Sequence, residues 1–135
     1  MVTREEIESF LIRLAAEEAA AYSEIEEGLW VIKPGGELDF DVVVHYSPPV
    51  VLFRVKVMEV PSDDGREAEL NRRLLELNAS DLVHGSYGIA GDSIVLNEGL
   101  ELSHLDYEEF LAAYESMTLA LASHMRELAA FREER

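Results

Sequence analysis

Between Leu29 and Val60 the apolar residues fall mostly on every second position, and two breaks, Pro34-Gly35-Gly36 and Pro48-Pro49, cut the stretch into three. A period of two is that of a β-strand, whose successive side chains point to opposite faces. Proline presets the backbone for a turn and glycine admits turn conformations, so the breaks read as turns. The stretch predicts a three-stranded antiparallel meander: Leu29 to Lys33, Leu38 to Tyr46, and Val50 to Val60. On the second strand Leu38, Phe40, Val42 and Val44 share one face, with Asp39, Asp41 and His45 on the other.

Register follows from matching like with like. A hairpin centred on the glycine pair sets Trp30 opposite Phe40 and Ile32 opposite Leu38. One centred on the proline pair sets Phe40 opposite Val57, Val42 opposite Val55 and Val44 opposite Phe53. Both gather a single apolar face, as they must, because a slip of one residue would invert it. On the reverse face Asp41 would oppose Lys56. That face also carries Val31, Val43, Leu52 and Met58, and is too apolar for an ordinary solvated surface. Two readings stay open: it accepts a partner segment, or one of the chain's own helices covers it.

Helices flank the meander. Thr3 with Glu6 forms a capping box ahead of Ile7, Phe10, Leu11, Leu14 and Ala15 at helical spacing. This first helix is expected to fade near Tyr22 to Glu27 and to end at Gly28. Asp64 with Glu67 opens a second helix, from about Arg66 to Asn78, with Leu70, Leu74 and Leu77 along one side. A hairpin follows, His84 to Ala90 and Ser93 to about Leu102, joined by Gly91-Asp92. It pairs Ile89 with Ile94 and Tyr87 with Leu96. Asp106 with Glu109 starts the longest helix, whose apolar side runs from Phe110 through Met117 and Leu121 to Leu128. The order is α-β-β-β-α-β-β-α, an α+β fold, and 135 residues suit one domain, 1–135.

Charge narrows the function. With 28 acids against 11 bases and a net charge of -17, the chain lacks the lysines and arginines that displace counterions from phosphates. Nucleic acid and anionic membrane surfaces are therefore not expected partners. No apolar stretch approaches the roughly 20 residues a bilayer demands, and the N-terminus carries acids where a secretory signal needs bases. A cytoplasmic location is expected. The absence of cysteine excludes disulfides and thiol nucleophiles.

No catalytic, cofactor or metal site is expected. His45, His84, His104 and His124 stand one to an element or loop, without the spacing of a metal motif. Asp39 and Asp41 share a strand face, and adjacent Asp63 and Asp64 precede a helix, where polar surface and capping explain them. Gly85, Gly88 and Gly91 lie within and after one strand that leads into another, not at a strand-to-helix turn that cradles phosphate.

The run Leu74-Leu75-Glu76-Leu77-Asn78 is followed by Gly85-Ser86-Tyr87-Gly88-Ile89, Gly91-Asp92, Ile94-Val95-Leu96 and Leu105-Asp106-Tyr107-Glu108-Glu109-Phe110. This succession, with the element order, size and acidity, resembles the type III secretion chaperone-like superfamily and, within it, the YbjN-type proteins. The resemblance implies a homodimer formed around the middle helix and a neighbouring strand, with exposed apolar patches that hold an extended partner segment. The leucine face Leu70, Leu74 and Leu77 suits the two-fold contact, and Val31, Val43, Leu52 and Met58 suit the partner segment. The chain is thus expected to be a non-catalytic, homodimeric protein-binding module with a chaperone-like or regulatory role. The alternative is a small enzyme or small-molecule-binding domain with its pocket between the sheet and the C-terminal helix.

Overall fold

The structure is a computed structural model that describes residues 1–132. Its elements run α1 (Arg4–Glu17), β1 (Ala21–Glu26), β2 (Leu29–Lys33), β3 (Val42–Ser47), β4 (Val50–Glu59), α2 (Asp64–Ser80), β5 (Ser86–Ala90), β6 (Ser93–Glu101) and α3 (Tyr107–Ala129). The six strands form one antiparallel sheet in the order β1-β2-β3-β4-β6-β5.

The capping box at Thr3 and Glu6 is present, and each side chain satisfies the other's backbone N–H. The helix ends sooner than its composition suggests. Ala19 takes a positive φ of 51° and the chain turns back as β1, a strand absent from the sequence reading. A two-residue turn, Glu27-Gly28, joins β1 to β2, with Gly28 at φ 78°. Arg4 ties α1 to this added strand through an ion pair with Glu24. Its guanidinium also lies 5.5 Å from the centre of the Trp30 ring.

The β2–β3 register also departs from expectation. Trp30 faces Val44 and Ile32 faces Val42, because residues 38–41 belong to a longer connection. The displacement is an even number of positions, so the same side chains still reach the same face. Asp41 sits at the end of this connection and pairs with Lys33 at 3.3 Å rather than with Lys56. The proline-centred hairpin does set Val44 against Phe53. In the last hairpin Ile89 faces Ile94 and Tyr87 faces Leu96, as expected.

α1 and α3 cover one face of the sheet, termed the inner face. Ile7, Leu11 and Leu14 of α1 are fully buried with Trp30, Ile32 and Val44 beneath them. Phe110 of α3 links the layers, with ring centres 5.5 Å from Phe10 and 5.0 Å from Phe53. Below α3, Met117, Leu121 and Leu128 complete the core with Leu96 and Ile94. α2 stands elsewhere, alongside the edge strand β5. Its cap lies one residue earlier than its sequence suggests: Asp63, not Asp64, accepts from the Arg66 N–H at 2.9 Å, and the helix begins at Asp64 rather than near Arg66.

Candidate functional site

Among the described residues, no helix lies over the outer face of the sheet. Two rows of positions cross it from β2: Leu29, His45, Leu52 and Gly99 as far as β6, then Val31, Val43, Arg54, Asn97 and Ser86 to the edge strand β5. Val31 and Val43 are half-buried by their neighbours, and Leu52 is 40% exposed. Over these rows lies an open cavity of about 730 Å³, walled at one end by Val83, whose side chain is 85% exposed in the α2–β5 connection.

Met58 does not belong to this surface. A β-bulge between Lys56 and Met58 adds one residue to β4 and flips the alternation beyond it. Met58 thereby turns inward opposite Ile94 and is buried with Val57. The expectation that Met58 shares a face with Leu52 is corrected by that single inserted residue.

The polar groups bordering the cavity are fixed in place. Arg54 Nε donates to Asn97 Oδ1 at 2.6 Å. Both carboxylate oxygens of Glu98 accept from backbone, from Gly85 N–H at 2.8 Å and from Gly99 N–H at 2.9 Å. Gly85 has a φ of 89°, and a Cβ there would stand 3.1 Å from the Asn97 carbonyl. The position therefore needs glycine on both counts.

A second, smaller cavity of about 320 Å³ lies between α2 and β5. Leu70, Leu74 and Leu77, expected at a two-fold contact, instead face the chain's own core at 0, 5 and 1% exposure. A helix beside a sheet edge must bury its apolar stripe, and here the inner layer receives it. What α2 and β5 leave open is Leu75, 67% exposed, and Ile89, 54% exposed, on either side of the cavity. Asn71 also lines it, with a buried side-chain oxygen that meets no donor.

Asn78 joins helix to strand. Its side-chain oxygen accepts from Tyr87 N–H at 2.7 Å, and its amide donates to Tyr87 C=O at 3.2 Å. The amide thus does for β5 what a neighbouring strand would do. Behind it, His124 of α3 bridges Tyr87 and Asp81, with Nδ1 2.7 Å from the Tyr87 hydroxyl and Nε2 3.2 Å from Asp81 Oδ2. A carboxylate can only accept, so Nε2 carries a proton, and in the neutral ring Nδ1 accepts from the phenol. Burial, followed by the Asp81 charge, pushes the Tyr87 hydroxyl well above its ordinary value of 10.0. Hydrogen bonds from Ser80 and then His124 hold Asp81 below its ordinary 3.8. A phenol held neutral in the core is a clamp joining β5, α2 and α3, not a nucleophile.

The remaining candidates stay apart. His45 lies on the outer face, His84 in the α2–β5 connection and His104 in the turn before α3. Among the described residues, no three histidine, cysteine, aspartate or glutamate side chains gather in a way that could hold a metal ion. The space between sheet and α3, where the alternative reading places a pocket, is filled by Phe53, Phe110, Met117 and Leu121. No helix among the described residues is long and apolar enough to cross a membrane. The sequence reading missed Arg54, Val83, Asn78 and the His124 clamp. Only Asn78 left a signal, as the polar end of a leucine run.

Comparison with known proteins bears on this arrangement directly. The family model CesT_Tir_1 matches residues 2–134. The chain belongs to this type III chaperone family. Among solved structures it is similar to the heterodimeric complex ExoU–SpcU of the Pseudomonas aeruginosa type III secretion system, at 17% identity and a TM-score of 0.62, over 90% of this chain and 96% of that one. It is similar to the HopA1–SchA chaperone–effector complex, at 9% identity and a TM-score of 0.62, over 89% and 93%. It also resembles YbjN, a putative transcription regulator from E. coli, at 14% identity and a TM-score of 0.61, over 95% and 97%. At such identities these likenesses show the fold. Among curated proteins none matches the chain.

Proposed function

We propose that the protein is a non-catalytic, homodimeric protein-binding module with a chaperone-like role, which takes a partner segment on the outer face of its sheet. The observation that carries the reading is the open apolar surface of Val31, Val43 and Leu52, in a family of secretion chaperones and uncovered by any helix among the described residues. An apolar face left bare in an otherwise packed domain marks an interaction surface. Complexes of chaperone with effector among the similar folds support a protein as the ligand.

The dimer contact is assigned to α2 and β5, through the exposed Leu75 and Ile89 rather than the buried Leu70, Leu74 and Leu77. Light scattering coupled to size exclusion tests it across protein concentrations. The expected mass is twice 15.2 kDa, reduced to 15.2 kDa by Leu75→Asp with the fold intact. A wild-type protein that stays at 15.2 kDa throughout refutes the dimer, and a Leu75→Asp variant that keeps the doubled mass refutes this contact.

A further inference from the structure

The cations of the sheet are not used alike. Lys33 pairs with Asp41 and Lys56 with Glu59. Arg54, in the middle of the outer face, meets no carboxylate within ion-pair distance among the described residues, and its one hydrogen bond goes to the neutral amide of Asn97. Elsewhere Arg4, Arg13, Arg72 and Arg73 each pair with an acid, while Arg66 and Arg132 donate to the carbonyls of Ala130 and Val57 away from the groove. In a chain with 28 acids and 11 bases, an arginine at the centre of an open groove without an acid partner is an unmet charge. Glu98, the residue after Asn97 in β6 and paired with Phe53 across the strands, is already held by two backbone N–H groups.

We propose that the groove receives an extended protein segment whose acidic side chain pairs with Arg54, while apolar residues on either side of it lie against Leu29, Val43, Leu52 and Val83. This rests on the assignment of the outer face as a protein-binding surface and specifies what it binds. The bond from Nε to Asn97 holds the guanidinium across the strand and leaves its other N–H groups for a carboxylate, which arginine matches in a paired geometry. The groove crosses from β2 to β5, four inter-strand steps of about 4.8 Å, and an extended chain of roughly six residues spans that width. The net charge of -17 does not forbid an acidic segment. Screening confines each charge to about 8 Å at physiological salt, so the charges lining the groove decide the contact.

The probe is a library of random ten-residue peptides displayed on phage and selected against the full chain and against Arg54→Glu, both checked for folding by circular dichroism. The wild type is expected to enrich aspartate or glutamate flanked by apolar residues, and the variant to enrich lysine or arginine at that place. A synthetic wild-type-selected peptide should lose roughly three- to five-fold in affinity when its acid becomes glutamine. It should also shift amide resonances at Val43, Leu52 and Val83. Peptides that lack an acid preference, or keep one unchanged on Arg54→Glu, while Leu52→Asp abolishes their binding, overturn the acid pairing and leave the outer face as the docking surface. Binding indifferent to Leu52→Asp, or no enrichment at all, overturns the docking surface with it. A doubled mass that Leu52→Asp removes shows a second copy in the groove and overturns the peptide assignment.

Discussion

Alternate residues of β4 have opposite fates. Val51, Phe53 and Val55 lie under two helices and are buried, while Leu52 and Arg54, one position away on the same strand, are open to solvent. Both faces carry apolar residues, Val51, Phe53 and Val55 on one and Val31, Val43 and Leu52 on the other. What separates them is that α1 and α3 pack on one side and, among the described residues, no helix packs on the other. An alternating pattern records how apolar each face is, but coverage depends on where distant helices return. The inner face therefore carries stability and the outer face is free to carry recognition.

The largest test of this division is Phe53→Ala against Leu52→Ala in urea denaturation. Loss of the buried ring should cost about 3–5 kcal/mol. Truncating the half-open leucine should cost below about 1 kcal/mol, since little surface is returned to water. Equal costs would mean that something covers the outer face. Met58→Ala comes next: placed inward by the bulge, it should cost about 2–4 kcal/mol, in the class of a buried methionine. A cost near that of Leu52→Ala would return Met58 to the outer surface.

Asn78→Ala removes both partners of the Tyr87 backbone and should cost about 1–3 kcal/mol. Hydrogen exchange at the Tyr87 amide should quicken more than at Ile94 in the core. Uniform acceleration would show that Asn78 supports the fold generally and not the strand edge.

The smallest effects concern pH, and two glutamates should respond with opposite sign. A hydrogen bond from Arg73 holds Glu127 below its ordinary value of 4.5, so its contribution is present above 4.5 and fades as pH falls through the lower folded value. Glu127→Gln should therefore be less stable than wild type at pH 7, with the gap closing in acid. Burial, then the nearby Glu115, raises Glu18 above 4.5, so its charged form opposes folding once pH exceeds that raised value. Glu18→Gln should be more stable than wild type at pH 7, an advantage that vanishes below pH 4.5. Thermal melts at pH 7 and in acid read both, and shifts of the same sign would refute the assignment.

Much of the fold was legible because the strong signals are local. Capping at Thr3 and Asp106, the Tyr87–Leu96 and Ile89–Ile94 pairs and the burial of Trp30 and Phe53 follow from nearby residues. β1 was not legible. Its side chains are mostly exposed on both sides, so Ala21 to Glu26 shows no alternation and its glutamates read as helix. The available clue was the Glu27-Gly28 dipeptide, a two-residue hairpin turn. The bulge at Met58 left no mark because an inserted residue changes parity without changing composition. The proposed binding surface was legible in Val31, Val43 and Leu52. The significance of Arg54 was not, because the lack of a carboxylate beside it among the described residues is visible only in three dimensions.

The amide of Asn78 has a further consequence, best put as valence. A sheet has two edges, and each exposed edge is one bond-forming end. At β5 the central residue is already satisfied by α2, so an incoming strand would have to displace a helix. Among the described residues that leaves β1, at the other end of the sheet, as the edge without such a cap, and a unit with one uncapped edge is monovalent toward strands. Monovalent units pair and stop: two copies joined β1 to β1 have no second end to offer, and that contact cannot propagate into a fibre. One asparagine thus sets an upper limit of two on assembly by strand addition.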